Sequence, residues 1–169
     1  MKKLVIFLAV CFTIFAQKSP LTPETLWKFE RVSSLNFNKT RNIAAFVVQK
    51  WSVENNSATT DIYGIDLTNN NVFPLVNSDE KEHSPIFSND GNYLYFIKNN
   101  QIHLKDLNNN REEQISNIPT GVSGILISPN DKFILFTSYV YPIKTAEETA
   151  KIDEEKSKNK VKAKIFDKL

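Results

Sequence analysis

SPIFSNDGNYLYF at residues 84–96 and GILISPNDKFILF at residues 124–136 decide the reading of this chain. In both, an apolar residue (Phe87, Ile127) precedes a polar run, and phenylalanine follows nine positions on (Phe96, Phe136). LNFNKTRNIAAF at 35–46 is a third copy, running from Phe37 to Phe46. The polar runs are Asn38-Lys39-Thr40-Arg41-Asn42, Ser88-Asn89-Asp90-Gly91-Asn92 and Ser128-Pro129-Asn130-Asp131-Lys132. Asn, Asp, Gly and Pro supply the backbone geometries that reverse a chain, so each copy reads as strand, turn, strand.

The likeness extends outward. DIYGIDLTNNN (61–71) lines up with QIHLKDLNNNR (101–111), pairing Ile62 with Ile102, Asp66 with Asp106 and Leu67 with Leu107. Leu75-Val76-Asn77 then matches Ile115-Ser116-Asn117 at the same offset of forty. The first and second turns are fifty residues apart, and the extra ten fall around Lys50 to Thr60, where Glu54-Asn55-Asn56-Ser57 predicts a long hairpin end. Four short strands in about forty residues is the size of one β-propeller blade. The apolar runs Tyr93–Phe96 and Phe133–Phe136 suit strands buried between neighbouring blades. An immunoglobulin-like sandwich also spaces strands and turns this closely, but has no reason to repeat its turn chemistry with a forty-residue period.

The fold class expected is therefore all-β: a partial propeller of about two and a half to three four-stranded blades. A short N-terminal helix precedes it and a charged helical insertion lies near its C-terminus. The domain reading is a signal peptide over 1–16, a helix and lead-in over 17–31, and an incomplete propeller over 32–169. Its blades fall at about 32–78, 79–119 and 120–169, the last interrupted by an insertion over 144–164. Leu21 to Lys28 carries a Thr N-cap, Pro at the first helical position and an early Glu, which start a helix. Propellers close with four to eight blades, so the sequence is expected to stop before the ring is complete.

The N-terminus reads MKKLVIFLAVCFTIFA before Gln17: two lysines, an apolar run from Leu4 to Phe15, and a small residue at Ala16. This is the pattern of a secretory signal peptide, cleaved near Ala16-Gln17, and implies an exported, periplasmic protein. The run is too short to span a bilayer comfortably. A buried N-terminal element is disfavoured by the charged start, and Leu8-Ala9-Val10-Cys11 makes a poor lipobox because Val10 is bulky. Cys11 is the only cysteine, so the mature chain would lack a thiol nucleophile, a disulfide and a thiolate metal site.

The charged residues number 21 Lys plus Arg against 19 Asp plus Glu, and removal of Lys2 and Lys3 leaves the signs balanced. A neutral chain without a basic stretch is a poor partner for nucleic acid. Only four glycines are present, Gly64, Gly91, Gly121 and Gly124, which excludes a phosphate-binding loop, a dinucleotide turn and a nucleophile elbow. Nineteen asparagines gather mainly in the turns and point to no chemistry by themselves.

No catalytic, cofactor-binding or metal-ligating residue is assigned. Ser123, in Gly121-Val122-Ser123-Gly124, has its second glycine one position early for a nucleophile elbow and precedes a strand. His83 follows Asp79-Glu80-Lys81-Glu82, which reads as an exposed inter-blade loop more readily than as a cation site. His103 alternates with Ile102 and Leu104 and belongs to a strand face. Lys144 to Lys164 mixes Lys and Glu and reads as a solvated helix.

SPIFSNDGNYLYF and GILISPNDKFILF resemble the S-P-D-G-K-x-x-x-F blade repeat of TolB-like propellers, shared by the prolyl oligopeptidase family of serine peptidases. The opening LTPETLWKFERVSSLNFN is similar to the start of mature secreted peptidases of that family. The ending, from FTSYVYP to VKAKIFDKL, resembles the insertion of its dipeptidyl-peptidase V and acylaminoacyl-peptidase branch. Asn38-Lys39-Thr40-Arg41 departs from the usual turn, and Asn89 replaces its proline. The resemblance implies the N-terminal propeller of an exported peptidase acting on short peptides, without cofactor. It also implies that the Ser-His-Asp triad sits on a C-terminal α/β-hydrolase domain that this sequence does not contain. A non-enzymatic TolB-like propeller that binds protein partners is the alternative. Glu147-Glu148 and Glu154-Glu155 suit a site anchoring a free peptide N-terminus, though no motif assigns them.

Overall fold

The structure, a computed structural model, describes residues 21–158. The signal-peptide reading of 1–16, Cys11 and the VKAKIFDKL segment lie outside the described residues. Helix α1 (Pro23–Trp27) starts as its sequence dictates: Thr22 is the N-cap, its hydroxyl accepting from the Thr25 N–H at 3.2 Å, and Pro23 fills the first helical position.

Strands β1 (Arg31–Asn38), β2 (Ile43–Ser52), β3 (Ser57–Asp66) and β4 (Val72–Val76) form one antiparallel sheet in chain order. Strands β5 (Glu82–Phe87), β6 (Tyr93–Lys98), β7 (Gln101–Asp106) and β8 (Glu112–Gln114) form a second of the same order. Strands β9 (Gly124–Ile127) and β10 (Ile134–Thr137) pair as half of a third. The first strands, β1, β5 and β9, contact one another in succession. These are sectors of a wheel with β1, β5 and β9 innermost.

Two seams hold the sectors together. Ala45, Val47, Ile62, Leu75 and Val76 of the first blade pack on Phe87, Leu94 and Phe96 of the second. On the second blade's other face, Ile97 and Ile102 pack with Val122, Ile125 and Ile134. Period-two alternation sends successive residues of β6 to opposite seams, which is why Tyr93–Phe96 is apolar throughout. The corresponding strand of the third blade departs from that expectation. Phe133, Leu135 and Phe136 are 70%, 67% and 40% exposed, because among the described residues no third strand pairs with β10.

The turns repeat atom by atom. Ser88 Oγ accepts from the Tyr93 N–H at 2.9 Å and donates to Asp90 at 2.6 Å; Ser128 does the same with Phe133 at 2.9 Å and Asn130 at 2.8 Å. The left-handed residue is the fourth of each run, Gly91 at φ 77° and Asp131 at φ 55°. In the first blade Asn38 replaces the serine, and the left-handed residue moves to the fifth position, Asn42 at φ 54°. The chain still reverses, so the departure from the repeat shifts the turn by one residue without breaking it.

The outer turns have their own wiring. Asp66 accepts from the Thr68 N–H at 2.8 Å and the Asn69 side chain at 3.1 Å, while Asn70 takes φ 60°. Asp106 accepts from the Asn108 N–H and the Asn109 side chain, both at 2.8 Å, with Asn110 at φ 61°. The asparagine runs are thus turn-forming devices in which the side chain stands in for backbone partners.

The ten additional residues of the first blade form a prong. β2 and β3 are ten residues long against six for β6 and β7, so the hairpin outreaches its neighbour by four residues per strand, about 13 Å. Helix α2 (Ala146–Lys158) follows β10 and opens with a capping box, Thr145 N–H to Glu148 at 3.0 Å and Glu148 N–H to Thr145 Oγ at 3.2 Å. It is fastened by buried Thr149, whose hydroxyl accepts from the Tyr141 N–H at 3.0 Å.

Candidate functional site

The innermost strands and their turns make the surface nearest the axis. Asn36, Lys39, Ser88, Asn89 and Ile127 contribute to a cleft of about 280 Å³ there. Side chains fix this surface across blade boundaries. Asn36 accepts from the Phe87 N–H at 3.0 Å, tying β1 to β5. The Asn38 amide and the Arg41 guanidinium both donate to the Gly91 carbonyl, at 2.9 and 2.8 Å. One blade further, Asp131 accepts from the backbone N–H groups of Asn89 and Asp90 at 2.9 and 3.2 Å. Each turn therefore grips the next, and a polar rim is held rigid with little apolar area. Arg41 also reaches the Asn108 side chain on the outer turn of the second blade.

The residues singled out in the sequence do not converge. Ser123 Oγ meets only Thr137, at 3.0 Å from its hydroxyl and 3.4 Å from its carbonyl oxygen, with no imidazole in reach to act as base. His83 Nδ1 lies 3.0 Å from Ser84 Oγ on β5, and burial depresses its imidazole below the ordinary range. His103 stands in the seam between blades 1 and 2, its ring 5.6 Å from that of Phe96. Burial depresses it too, with the Glu112 carboxylate 3.5 Å away opposing.

The Asp79–Glu82 run separates in space. Glu80 pairs with Lys98 at 3.6 Å, whereas Glu82 is wholly buried. Among the described residues no three His, Cys, Asp or Glu side chains gather as metal ligands. Glu148 is committed to its helix cap and Glu154 to Lys158 at 2.6 Å, while exposed Glu147 is held acidic by backbone hydrogen bonds at the helix start. None of these carboxylates faces the axial cleft.

Sequence reasoning missed two groupings. One is the buried Glu82 with its surroundings, hidden inside a run of charges that reads as solvated. The other joins Trp27 of α1 to Trp51 of the prong, ring centroids 5.4 Å apart, with the Arg31 guanidinium 5.9 and 5.6 Å from the two rings. Two aromatics and an arginine at 24-residue separation carry no linear signal.

The fold and its rim define a class: a propeller sector built from repeated blades, with no catalytic constellation among the described residues. The family described as the dipeptidyl peptidase IV (DPP IV) N-terminal region matches residues 40–135, more than half of the chain, and the chain belongs to that family. This agrees with the resemblance to the N-terminal propeller part of prolyl oligopeptidase-family proteins. It is 27% identical over 121 residues to dipeptidyl-peptidase 5 of Porphyromonas gingivalis, covering 69% of this chain and 18% of that protein.

Among solved structures it is similar to the acylaminoacyl peptidase of Pyrococcus horikoshii, with a TM-score of 0.57 at 23% identity. That match covers 67% of this chain and 18% of the other. The β-propeller domain of the Trilobed protease from Pyrococcus furiosus gives 0.53 at 19% identity, over 64% and 34% of the two chains. A putative TolB from Agrobacterium tumefaciens gives 0.51 at 19% identity, over 66% and 39%. At these identities the structural likenesses establish the propeller fold. The chain spans under a fifth of the length of its curated relative and of the acylaminoacyl peptidase.

Proposed function

We propose that this chain is the N-terminal propeller part of an exported serine peptidase of the prolyl oligopeptidase family, of dipeptidyl- or acylaminoacyl-peptidase type. The observation that carries the reading is the family match over residues 40–135, which falls on the blade units themselves. The likeness to dipeptidyl-peptidase 5 points to the same branch.

In this reading acyl transfer belongs to an α/β-hydrolase domain outside these 169 residues, where Ser, His and Asp form the triad beside an oxyanion hole. The wheel limits access to that domain to short peptides. A narrow rim suits such a filter because its turns are cross-linked by hydrogen bonds and resist widening. Residues 1–16 direct the protein to the periplasm and are removed near Ala16-Gln17. Among the described residues no helix is long and apolar enough to cross a membrane.

Two measurements test this. The gene should continue past Leu169 to a G-x-S-x-G motif followed by Asp and His, and the complete protein should hydrolyse dipeptidyl or acylaminoacyl chromogenic substrates. A reading frame that ends after a few further blades, or a folded complete protein with no turnover, rejects the peptidase reading. The first of those results favours a TolB-like binder.

A further inference from the structure

The seam between blades 1 and 2 contains a carboxyl group that the rim and the peptidase reading do not use. Glu82, the first residue of β5, is 0% exposed. Its Oε1 accepts from the Ser78 hydroxyl, and its Oε2 has no hydrogen-bond partner. Two further orphans are buried in the two blades that this seam joins, Thr60 Oγ1 on β3 and His103 Nδ1 on β7. Thr60 sits beside Lys81 in a parallel bridge that joins the two blades at this point.

The surroundings compensate an anion only in part. Lys98 lies opposite Glu82 on β6, but its ammonium is shared with Glu80 at 3.6 Å and Glu112 at 3.1 Å. Asp61 on β3 and Glu112 on β8 add negative charge, and Lys105 on β7 is turned to the Leu75 carbonyl oxygen at 2.6 Å. On β1 and β2, Arg31 is stacked on the tryptophans and Lys50 is held by Glu30 and Tyr63. β9 carries no charge. Burial, the largest influence, pushes Glu82 above the usual carboxylate range, against the Ser78 hydrogen bond and the Lys98 charge, which lower it.

We propose that Glu82 is a proton-operated latch, around which the seam between blades 1 and 2 closes fully when the carboxyl is neutral and loosens when it ionises. The sign follows from linkage. The folded state holds this proton to higher pH than the unfolded chain does, so stability is greatest below the ordinary glutamate range and falls as pH rises through the folded-state value. His83 and His103 act oppositely, since their depressed imidazoles favour folding as pH rises. Asp61, also raised by burial, shares the sign of Glu82 and needs its own control.

The test uses the complete protein, with urea midpoints and β5 amide exchange measured from about pH 5 to about pH 7.5, a span above the ordinary glutamate value. The wild type should lose midpoint as pH rises, and protection of the β5 amides, normalised for intrinsic exchange, should drop about tenfold. Glu82→Gln, which fixes the neutral form, should remove most of the fall with pH and exceed the wild type at the upper pH. Asp61→Asn, which removes a group of the same sign, should reduce the slope by less than Glu82→Gln does. An unchanged slope in Glu82→Gln, or a slope abolished only by Asp61→Asn, overturns the proposal. Should Glu82→Gln fail to fold, wild-type exchange decides alone, and β5 protection that does not fall with pH overturns it.

Discussion

Gly91 is where two turns touch. Its φ is 77°, and a Cβ there would come within 2.6 Å of Asn38 Oδ1 and 2.8 Å of Thr40 Cβ. The left-handed backbone alone penalises a side chain by about 1–2 kcal/mol, and displacing Asn38 would also break its bond to the Gly91 carbonyl. Gly91→Ala should therefore lower unfolding free energy by about 2 kcal/mol or more, read from the urea midpoint. The equivalent position of the third blade is Asp131, which tolerates the same conformation and uses its carboxylate to hold the second turn. A glycine and an aspartate thus satisfy one backbone demand by different means. Asn38 is 3% exposed and spends its amide on this contact.

At the scale of elements, the seams depend on strands whose two faces serve different neighbours. Phe96 on β6 is 0% exposed within the core shared by the first two blades. Phe96→Ala should cost about 3–5 kcal/mol, because the blades cannot collapse onto the vacated volume without losing their register. Calorimetry or urea unfolding would show it, and a loss under about 1 kcal/mol would mean that the seam is loosely packed.

What the sequence discloses is also clearest at this scale. The turn units with their phenylalanines, the forty-residue offset and the lengthened hairpin were all legible, because each is a local pattern written in backbone chemistry. The exposure of β10 was not, since burial of an apolar strand depends on which strand lies beside it. Nor was Glu82, because neighbouring acids and lysines in Asp79–His83 look alike until the β5–β6 ladder and the Thr60–Lys81 bridge assign one of them to the interior.

For the molecule as a whole, both ends of the described sector present exposed apolar surface. Val32, Leu35 and Phe37 of β1 are more than half exposed, as are Leu126 and Leu135 of the third blade. Exposed apolar strand faces and unpaired edges recruit other chains. The 169-residue chain in isolation is expected to self-associate at micromolar concentration. Leu135→Lys should reduce that association in sedimentation experiments while shifting unfolding free energy by no more than about 0.5 kcal/mol, since the residue is already 67% exposed.

The aromatic corner near the tip of the prong has a spectroscopic consequence. Trp27 and Trp51 are the chain's two tryptophans, and they sit side by side with Arg31 between helix and hairpin. Indole emission is therefore a private window on the attachment of α1. Undocking the helix would change colour and intensity with every blade intact, whereas melting of the second or third sector would stay dark until it reached this corner.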